Sequence, residues 1–506
     1  MKEHQENAEP TGRILNRRSF LKQSATAITM APLLASRPWA APVGANERIR
    51  ICMMGVRSRG RKQINCFLKI PDVEIAYICD VDEDIGRGQV DRIRQATGRA
   101  PQLEKDIRKV LEDKTVDAVS IATPNHWHTL AAYWSVQAGK DVLVEKPLSH
   151  NLAEGRRLVD AARYYRRIVQ HTTQYRSAPG IRAGIDFIKQ GKLGAVTLAR
   201  ALIYKPRGGM GKVNGEQPIP PGVDYDLWLG PAPQKPLLRK RLHYDWHWIW
   251  DCGNGEIGNQ AVHMIDICRW GLGKTLPKTA ISCGGRFGPL DDGEVPDTQL
   301  ALFDYGDSCK MLVEIRALKS PHYDGVDIGE IFYGSEGRLI IGHYGDATAY
   351  LGKDKKPLVV GEPLTKPPGK PSASDYDDGH FRNFLSVMRS RKVEDLYADV
   401  EQGHLTCCHT HLGNISYRVG QETPFDPKRA SFADDREASE AFQRLQDHLR
   451  DHNLLMRDTT YRLGRKLRLD AAAERLDGDP QANALLTRQY REPFVVPEKV
   501  GSFSSR

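Results

Sequence analysis

Three features are missing from the sequence, and each absence argues against one class of protein. No two of its nine cysteines form a CxxC pair with metal-ligand spacing, so we predict no metal site. The basic residues, 73 Lys and Arg against 64 Asp and Glu, are scattered rather than gathered in a stripe, so we predict no nucleic-acid partner. The apolar stretch at residues 25–35 is too short to cross a bilayer as a helix, so we predict no stable membrane anchor.

What is present is an ordinary globular composition. The chain has 506 residues, 40% of them hydrophobic, which is enough for two or three domains with separate cores. The cysteines lie mostly within apolar runs, and we interpret them as buried small hydrophobic residues. A redox-active pair is the alternative for the adjacent Cys407 and Cys408.

The first 41 residues carry the pattern of an export signal. RRSFLK at 17–22 precedes the weakly apolar stretch at 25–35, as in twin-arginine signals. A disordered basic amino terminus is the alternative. We predict that residues 1–41 direct the chain to the twin-arginine export machinery and therefore to the periplasm, and that the chain crosses in a folded state.

The segment from residue 48 to residue 172 alternates short β-branched runs with helical periods. This alternation predicts right-handed crossovers and a doubly wound parallel sheet, that is, a Rossmann domain in an α/β protein. Residues 173–414 carry longer strands, which predict an α+β domain around a mostly antiparallel, open sheet. In residues 415–506, YRVG at 417–420 recurs as YRLG at 461–464, and Asp435 recurs as Asp479, both 44 residues later. We predict a carboxyl-terminal arm there that contains a duplicated unit.

The first predicted strand ends in a loop that suits a dinucleotide. Such a loop needs one glycine for the tight turn and another for strand–helix packing, and Gly55 and Gly60 fill these positions. The middle glycine is replaced by Arg57, which weakens the pattern. With Ser58 and Arg59, these residues are our candidates for binding the pyrophosphate.

Asp80 follows the second predicted strand and is placed to accept hydrogen bonds from a ribose. An acid at this point favours NAD because it would repel a 2′-phosphate. The basic residues Arg57, Arg59 and Arg61 leave NADP open, since an arginine could neutralise such a phosphate. A helix cap is the structural alternative for Asp80.

Three further motifs carry a family resemblance. ATPNHWH at 122–128 and EKP at 145–147 each follow a predicted parallel strand, and GEIGNQAVHMID lies at 255–266. Together they resemble the glucose-fructose oxidoreductase and inositol dehydrogenase family, Gfo/Idh/MocA, over roughly residues 48–420. The resemblance implies an NAD(P)-binding oxidoreductase that forms homo-oligomers. It places Thr123, Pro124, Asn125, His128 and Glu145 along the cofactor.

The resemblance also places Lys146 beside both the cofactor and the substrate hydroxyl. An ammonium there can polarise a carbinol oxygen, or accept its proton if burial lowers the lysine pKa. Many members of the family carry an aspartate where this chain has Asn259, which cannot take a proton. His263 then becomes the second candidate for general acid/base chemistry, with Asn259 as a hydrogen-bonding residue.

The segment 244–251 is rich in aromatic and acidic residues, a composition that suits sugar rings. Hydrophobic packing of a loop is the alternative. We predict that Trp246 and Trp250 bind substrate, and the resemblance adds Gln174, Arg176 and Asp266 to this set.

These residues predict an exported, NAD(P)-dependent enzyme that transfers hydride to or from a sugar or polyol, with the cofactor tightly bound. One alternative is a glycoside hydrolase or lyase that oxidises the sugar transiently. The other is a sugar- or nucleotide-binding protein that has lost its activity, as Arg57 and Asn259 would allow.

Overall fold

The computed structural model describes residues 48–362, 376–425, 435–454 and 459–501. All of them belong to one compact unit, Glu47–Arg506. Within these ranges no helix combines the length and the apolar character needed to span a bilayer. The export signal predicted at 1–41 lies outside the described residues.

The amino-terminal part is built on a six-stranded parallel sheet in the order β3-β2-β1-β4-β5-β6. The strands are β1 (Ile49–Met54), β2 (Val73–Cys79), β3 (Gln102–Glu104), β4 (Ala118–Ile121), β5 (Asp141–Val144) and β6 (Val169–His171). The connecting helices are α1 (Ser58–Phe67), α2 (Glu83–Thr97), α3 (Ile107–Glu112), α4 (Asn125–Gln137) and α5 (Leu152–Tyr164). The strand order reverses between β1 and β4, which is where open α/β sheets bind ligands.

The remaining residues form a twelve-stranded sheet in the order β14-β13-β12-β11-β7-β10-β9-β8-β16-β15, with β17 also paired to β8 and β18 paired to β17. Its neighbouring strands are antiparallel except for β7 and β10. The strands are β7 (Val196–Tyr204), β8 (Thr279–Gly285), β9 (Thr298–Asp304), β10 (Lys310–Arg316), β11 (Ile328–Gly334), β12 (Gly337–Gly342), β13 (Ala347–Leu351), β14 (Pro357–Gly361), β15 (Gln421–Pro424), β16 (Thr460–Leu463), β17 (Leu467–Asp470) and β18 (Arg475–Leu476). The predicted fold class is therefore confirmed.

The helices of this second part are α6 (Pro179–Lys189), α7 (Tyr225–Leu229), α8 (Gly255–Asn259), α9 (Ala261–Leu272), α10 (Asp377–Ser390), α11 (Val400–Arg418), α12 (Arg436–Asp451) and α13 (Pro480–Ala484). Among the described residues, 3₁₀ turns span Gln174–Ser177, Asp245–Trp248 and Val393–Asp395. Helix α11 is almost entirely buried and includes Cys407 and Cys408. All nine cysteines are buried and unpaired, as the apolar runs predicted.

The two copies of the carboxyl-terminal repeat have the same aspartate helix cap but differ in the secondary structure of their YRVG and YRLG segments. Asp435 caps α12 by accepting from the Ala438 N–H, and Asp479 caps α13 by accepting from the Ala482 N–H. The YRVG copy instead begins within the last turn of α11, whereas the YRLG copy forms most of β16. The strands of this segment extend the large sheet beyond β8.

The loop after β1 has the two glycines that the sequence indicated, and each has a steric reason. Gly55 has a φ of +76°, a left-handed conformation that favours glycine, and a Cβ there would lie 2.8 Å from the Ala122 backbone. A Cβ on Gly60 would lie 1.9 Å from the Gly55 carbonyl oxygen, so α1 can pack on the loop only without one. The position between them, Arg57, precedes α1 in an extended conformation.

Replacing Gly60 with alanine should therefore strain the loop, at a cost of about 1–3 kcal/mol in the free energy of unfolding. Gly88 is the matched control, because it also lies in a helix and a Cβ there meets nothing within 4 Å. Gly88→Ala should stabilise the chain by roughly 0.5–1 kcal/mol. Urea denaturation of both variants tests this, and equal effects would contradict the steric argument.

Candidate functional site

A cavity of about 820 Å³ lies at the carboxyl ends of β1, β4 and β5. This volume is within the usual range for ligand sites. The residues predicted to bind cofactor line it with the exception of Gly60, which lies in α1: Gly55, Arg57, Ser58, Arg59, Asp80, Thr123, Pro124, Asn125, His128, Glu145 and Lys146. Among the other predicted site residues, Asn259 and Trp246 also line the cavity.

Asp80 directly follows β2 and lines the cavity. Its carboxylate accepts from the Val56 N–H at 2.8 Å and from the Asp82 N–H at 3.0 Å. Burial raises the pKa of Asp80, although these two N–H groups oppose the shift. The helix-cap alternative for Asp80 is wrong, because Asp82 caps α2 by accepting from the Ile85 N–H.

The Arg59 guanidinium is paired with two carboxylates. Its Nε donates to Glu145 at 2.5 Å, and its two terminal nitrogens donate to Asp377 at 2.6 and 2.7 Å. These hydrogen bonds use the N–H groups of Arg59 that would otherwise bind the 2′-phosphate of NADP. Two further acids, Asp84 and Asp106, line the same cavity and would repel such a phosphate.

Glu145 is a buried carboxylate that is held by hydrogen bonds. Besides Arg59, it accepts from Gln63 Nε2 at 2.9 Å, and Gln63 in turn accepts from the Ser120 hydroxyl at 2.9 Å. Burial alone would raise the pKa of Glu145, but Arg59 and Lys146 together hold that pKa below its ordinary value. Glu145 is therefore a fixed negative charge next to Lys146.

Lys146 extends into the cavity and contacts the second part of the chain. Its Nζ donates to the backbone carbonyl and to Oδ1 of Asn259, both at 2.8 Å. Burial lowers the pKa of Lys146 to about 8, against the opposing effect of Glu145 and Glu256. A lysine with this pKa can give up or take back a proton near neutral pH.

Asn259 is held in turn by an ion pair that the sequence analysis did not identify. Its Nδ2 donates to Glu256 at 3.2 Å, and Glu256 accepts from Arg207 Nη2 at 2.5 Å and from Arg207 Nε at 3.1 Å. Glu256 is within the motif at 255–266, but Arg207 follows β7, and no local pattern connects the two.

His263 lies one helical turn beyond Asn259 and does not line the cavity. Its ring packs edge-on against Tyr175 with centroids 5.1 Å apart, and its Nδ1 is buried without a hydrogen-bond partner among the described residues. Burial, with Lys146 and His171 nearby, holds the pKa of His263 well below its ordinary value. The imidazole is therefore neutral at pH 7, and its predicted acid/base role stays a prediction.

The motif after β4 is tied to its surroundings by side chains. His128 lies between the carbonyl oxygens of Pro147, at 2.6 Å, and Thr123, at 2.8 Å, so it connects the loops after β4 and β5. Asn125 donates to Asn254 Oδ1 at 3.0 Å, which joins α4 to the loop before α8. The Thr123 hydroxyl has no partner among the described residues.

The residues predicted to bind substrate separate into two groups. Trp246 lines the cavity and stacks on His247 with ring centroids 3.6 Å apart. Arg176 and Asp266 are buried against each other in an ion pair, with distances of 2.7 and 2.9 Å, and do not line the cavity. Gln174 and Trp250 are also outside the cavity lining, and the Trp250 ring packs under the Arg418 guanidinium.

The cavity is also lined by residues that we did not predict, and they come from both parts of the chain. Leu227, Trp228, His243, Tyr244 and His247 belong to the segment after β7, whereas Val81, Ile85, Gln89, Lys105 and Ile107 are among those from the Rossmann part. The aromatic segment at 244–251 was the available signal for Tyr244 and His247, whereas Trp228 lies in a short helix without a recognisable motif.

His404, Cys408 and Glu474 form a group of metal-ligating side chains away from this cavity. His404 contacts Glu474 at 2.9 Å, and Arg156 donates to the same carboxylate oxygen at 2.6 Å. The arginine already balances the charge of the carboxylate, so the contacts are those of a salt-bridge network. The absence of a metal stays a prediction.

The carboxyl-terminal segment holds the wall of the cavity in place. Phe494 packs edge-on against Trp127 with centroids 5.6 Å apart, and Trp127 Nε1 donates to the carbonyls of Leu227 and Trp228. Arg491 donates to the Gly230 carbonyl at 3.1 Å and to the Asp226 carboxylate at 2.6 Å. The segment thus fastens α7 and its loop to the Rossmann part.

A switch-point cavity with a glycine turn, an acid after β2 and a partly buried lysine is typical of the class of NAD-binding oxidoreductases. The chain belongs to the Gfo/Idh/MocA oxidoreductase family. Residues 49–173 match its NAD-binding Rossmann domain, and residues 204–335 match its carboxyl-terminal α/β domain, together just over half of the chain. The predicted family and the predicted NAD cofactor are thus confirmed.

Individual relatives are distant. A levoglucosan dehydrogenase of Pseudarthrobacter phenanthrenivorans is 23% identical over 260 residues, which are 47% of this chain and 58% of that protein. A glycosyl hydrolase family 109 protein of Saccharopolyspora erythraea is 33% identical over 127 residues, which are 24% and 28% of the two chains. The chain therefore spans less than two thirds of these curated relatives.

Solved structures share the fold. A levoglucosan dehydrogenase in complex with NADH and levoglucosan has a TM-score of 0.55 and 16% identity, covering 72% of this chain and 96% of that one. The WlbA dehydrogenase from Bordetella pertussis, in complex with NADH and UDP-GlcNAcA, has a TM-score of 0.52 and 17% identity, covering 72% and 95%.

The contacts of Arg491 predict that the carboxyl-terminal segment slows the release of NAD. Arg491→Gln should speed dissociation of NADH by roughly 5- to 10-fold, because it removes hydrogen bonds worth about 1–1.5 kcal/mol in total. Arg436→Gln, on the exposed surface of α12, is the matched control. Stopped-flow fluorescence of bound NADH measures the rate, and an unchanged rate in Arg491→Gln would refute the predicted role.

Proposed function

We propose that the protein oxidises or reduces a hydroxyl-bearing carbon of a sugar or polyol, using a tightly bound NAD. The observation that carries this proposal is the Lys146 amine, which lies partly buried at the cavity, is hydrogen-bonded to Asn259 and has its pKa lowered to about 8. The stacked Trp246 and His247 rings on the same cavity offer an apolar face to a sugar ring. The names of the dehydrogenase relatives support the same substrate class.

The residues present fit NAD. A side chain at position 55 would collide with the backbone after β4, so glycine keeps this turn tight at the predicted pyrophosphate loop. Asp80 lines the cavity and would accept hydrogen bonds from the ribose, and Arg59 is already paired with carboxylates. When bound, NAD would supply the acceptor or donor of a hydride at the substrate carbon.

Lys146 would move the proton at the substrate oxygen. Above about pH 8 its amine is neutral and can accept a hydroxyl proton, and below that pH the ammonium can donate a proton to a carbonyl oxygen. Asn259 holds the Nζ in place through two hydrogen bonds, and Glu145 keeps a negative charge beside it.

A second candidate is glycoside cleavage without net redox change. In this reaction the sugar carbon would be oxidised by loss of a hydride to NAD, and the acidified carbon next to the new carbonyl would lose a proton. The substituent would leave with its bonding electrons from the carbon beyond, water would add to the resulting double bond, and the carbonyl would take the hydride back. The similarity to the glycosyl hydrolase family 109 protein favours it. Retention of the cofactor would be an advantage in the periplasm, where free NAD is scarce.

Turnover of a panel of sugars and polyols with NAD, followed by the absorbance of NADH, tests the first candidate. Lys146→Ala should lower kcat/KM by about 10²- to 10⁴-fold while NAD still binds, because it removes the proton-transfer group. Lys69→Ala, an exposed lysine in the turn after α1, is the control. If Lys146→Ala keeps full activity, Lys146 does not handle the proton.

Incubation with aryl glycosides and no added nucleotide separates the two candidates. Release of the aryl alcohol without net change in the cofactor would establish glycoside cleavage in place of simple dehydrogenation. No turnover on either panel by protein that binds NAD would favour a binding protein that has lost its activity, the third alternative.

We also propose that the twin-arginine pattern exports the chain and that the folded chain forms homo-oligomers. Replacing Arg17 and Arg18 with lysines should leave the protein in the cytoplasm, because export through this pathway depends on the arginine pair. Fractionation of periplasm and cytoplasm measures the outcome. Unchanged periplasmic recovery would contradict the assigned signal.

A further inference from the structure

Glu256 reaches Lys146 through the amide of Asn259. The Glu256 carboxylate is 2% exposed, accepts from Asn259 Nδ2 at 3.2 Å and is paired with Arg207. On its other side, the same amide accepts from Lys146 Nζ at 2.8 Å. Four side chains therefore form one hydrogen-bonded chain from the loop after β7 to the loop after β5.

In this series of four side chains, the chemistry of each group determines which one donates and which one accepts. Arg207 and a protonated Lys146 can only donate, and an ionised Glu256 can only accept. The amide of Asn259 has one donating and one accepting end, so its amino group must face Glu256 and its carbonyl oxygen must face Lys146. Without the carboxylate, only a protonated Lys146 would select that orientation, because a neutral amine can also accept from the flipped amide.

We infer that Glu256 and Arg207 are positioning residues for Lys146. They orient the Asn259 amide that holds the Lys146 amine, and their two charges act on that amine in opposite directions. Many family members place a carboxylate at position 259 itself. In this chain the carboxylate lies one helical turn earlier and acts through the amide. The inference rests on the proposed role of Lys146 as the proton-transfer group.

The charged and titratable groups around Lys146 determine in which direction its pKa should shift in each variant. They come from several elements and are Glu145, Glu256, Arg59, Arg207, His128, His247 and His263. Glu256 favours the ammonium and Arg207 opposes it. Removing Glu256 should therefore lower the pKa of Lys146, and removing Arg207 should raise it.

Competitive labelling with trace acetic anhydride measures this pKa directly in the full-length, NAD-free protein. The labelled fraction of the Lys146 peptide is followed by mass spectrometry over a pH series. The wild-type midpoint should lie at about 8. Glu256→Gln should move the midpoint down by about one pH unit and Arg207→Gln should move it up by a similar amount. Glu440→Gln, an exposed carboxylate on α12, should leave it unchanged.

Opposite shifts support the inference, whereas unchanged midpoints or shifts in the same direction overturn it. A purely structural role would lower the melting temperature of both variants without moving the midpoint. If Glu256→Gln does not fold, Glu256→Asp and Arg207→Gln decide the question, because aspartate should keep the midpoint near that of the wild type. The assay needs no substrate, so opposite shifts with a fully active Lys146→Ala would refute the proposed function and leave the positioning role intact.

Discussion

The buried carboxylate of Glu145 is the constraint on which the site depends. An unpaired charge in the interior is costly, so this carboxylate has to be matched by cations and hydrogen-bond donors. Arg59 supplies both and extends to Asp377 at the start of α10. The loop after β1, β5 and α10 are therefore joined by one network, and loss of Arg59 would leave the Glu145 and Asp377 carboxylates buried without the guanidinium that they share.

The same network explains why the pKa of Lys146 is lowered only to about 8. Burial alone would lower its pKa further, since a charged amine is poorly solvated there. Glu145 and Glu256 each oppose that effect, while Arg59 and Arg207 partly cancel the two carboxylates. The pKa of Lys146 therefore stays close enough to neutral pH for the amine to accept a proton and for the ammonium to donate one.

The sequence predicted the parts of the site that depend on local pattern. Gly55 and Asp80 follow strands with recognisable periodicity, and Lys146 lies in a specific motif. Partners that come together only through tertiary packing had no such signal, and Asp377, 318 residues from Arg59, is the clearest case. The start of α4 at Asn125 had no such signal either, because the polar and aromatic residues of its first turn hide the helical period.

Strands β16 and β17 lie end to end along the outer side of β8, with Leu463 opposite Cys283 and Leu467 opposite Ala280. They use the backbone groups that a free β8 would offer to another polypeptide. The strand beyond them, β15, is only four residues long and ends in Pro424, which cannot donate a ladder hydrogen bond. This border of the large sheet consequently offers few free backbone groups for pairing with a strand of another polypeptide.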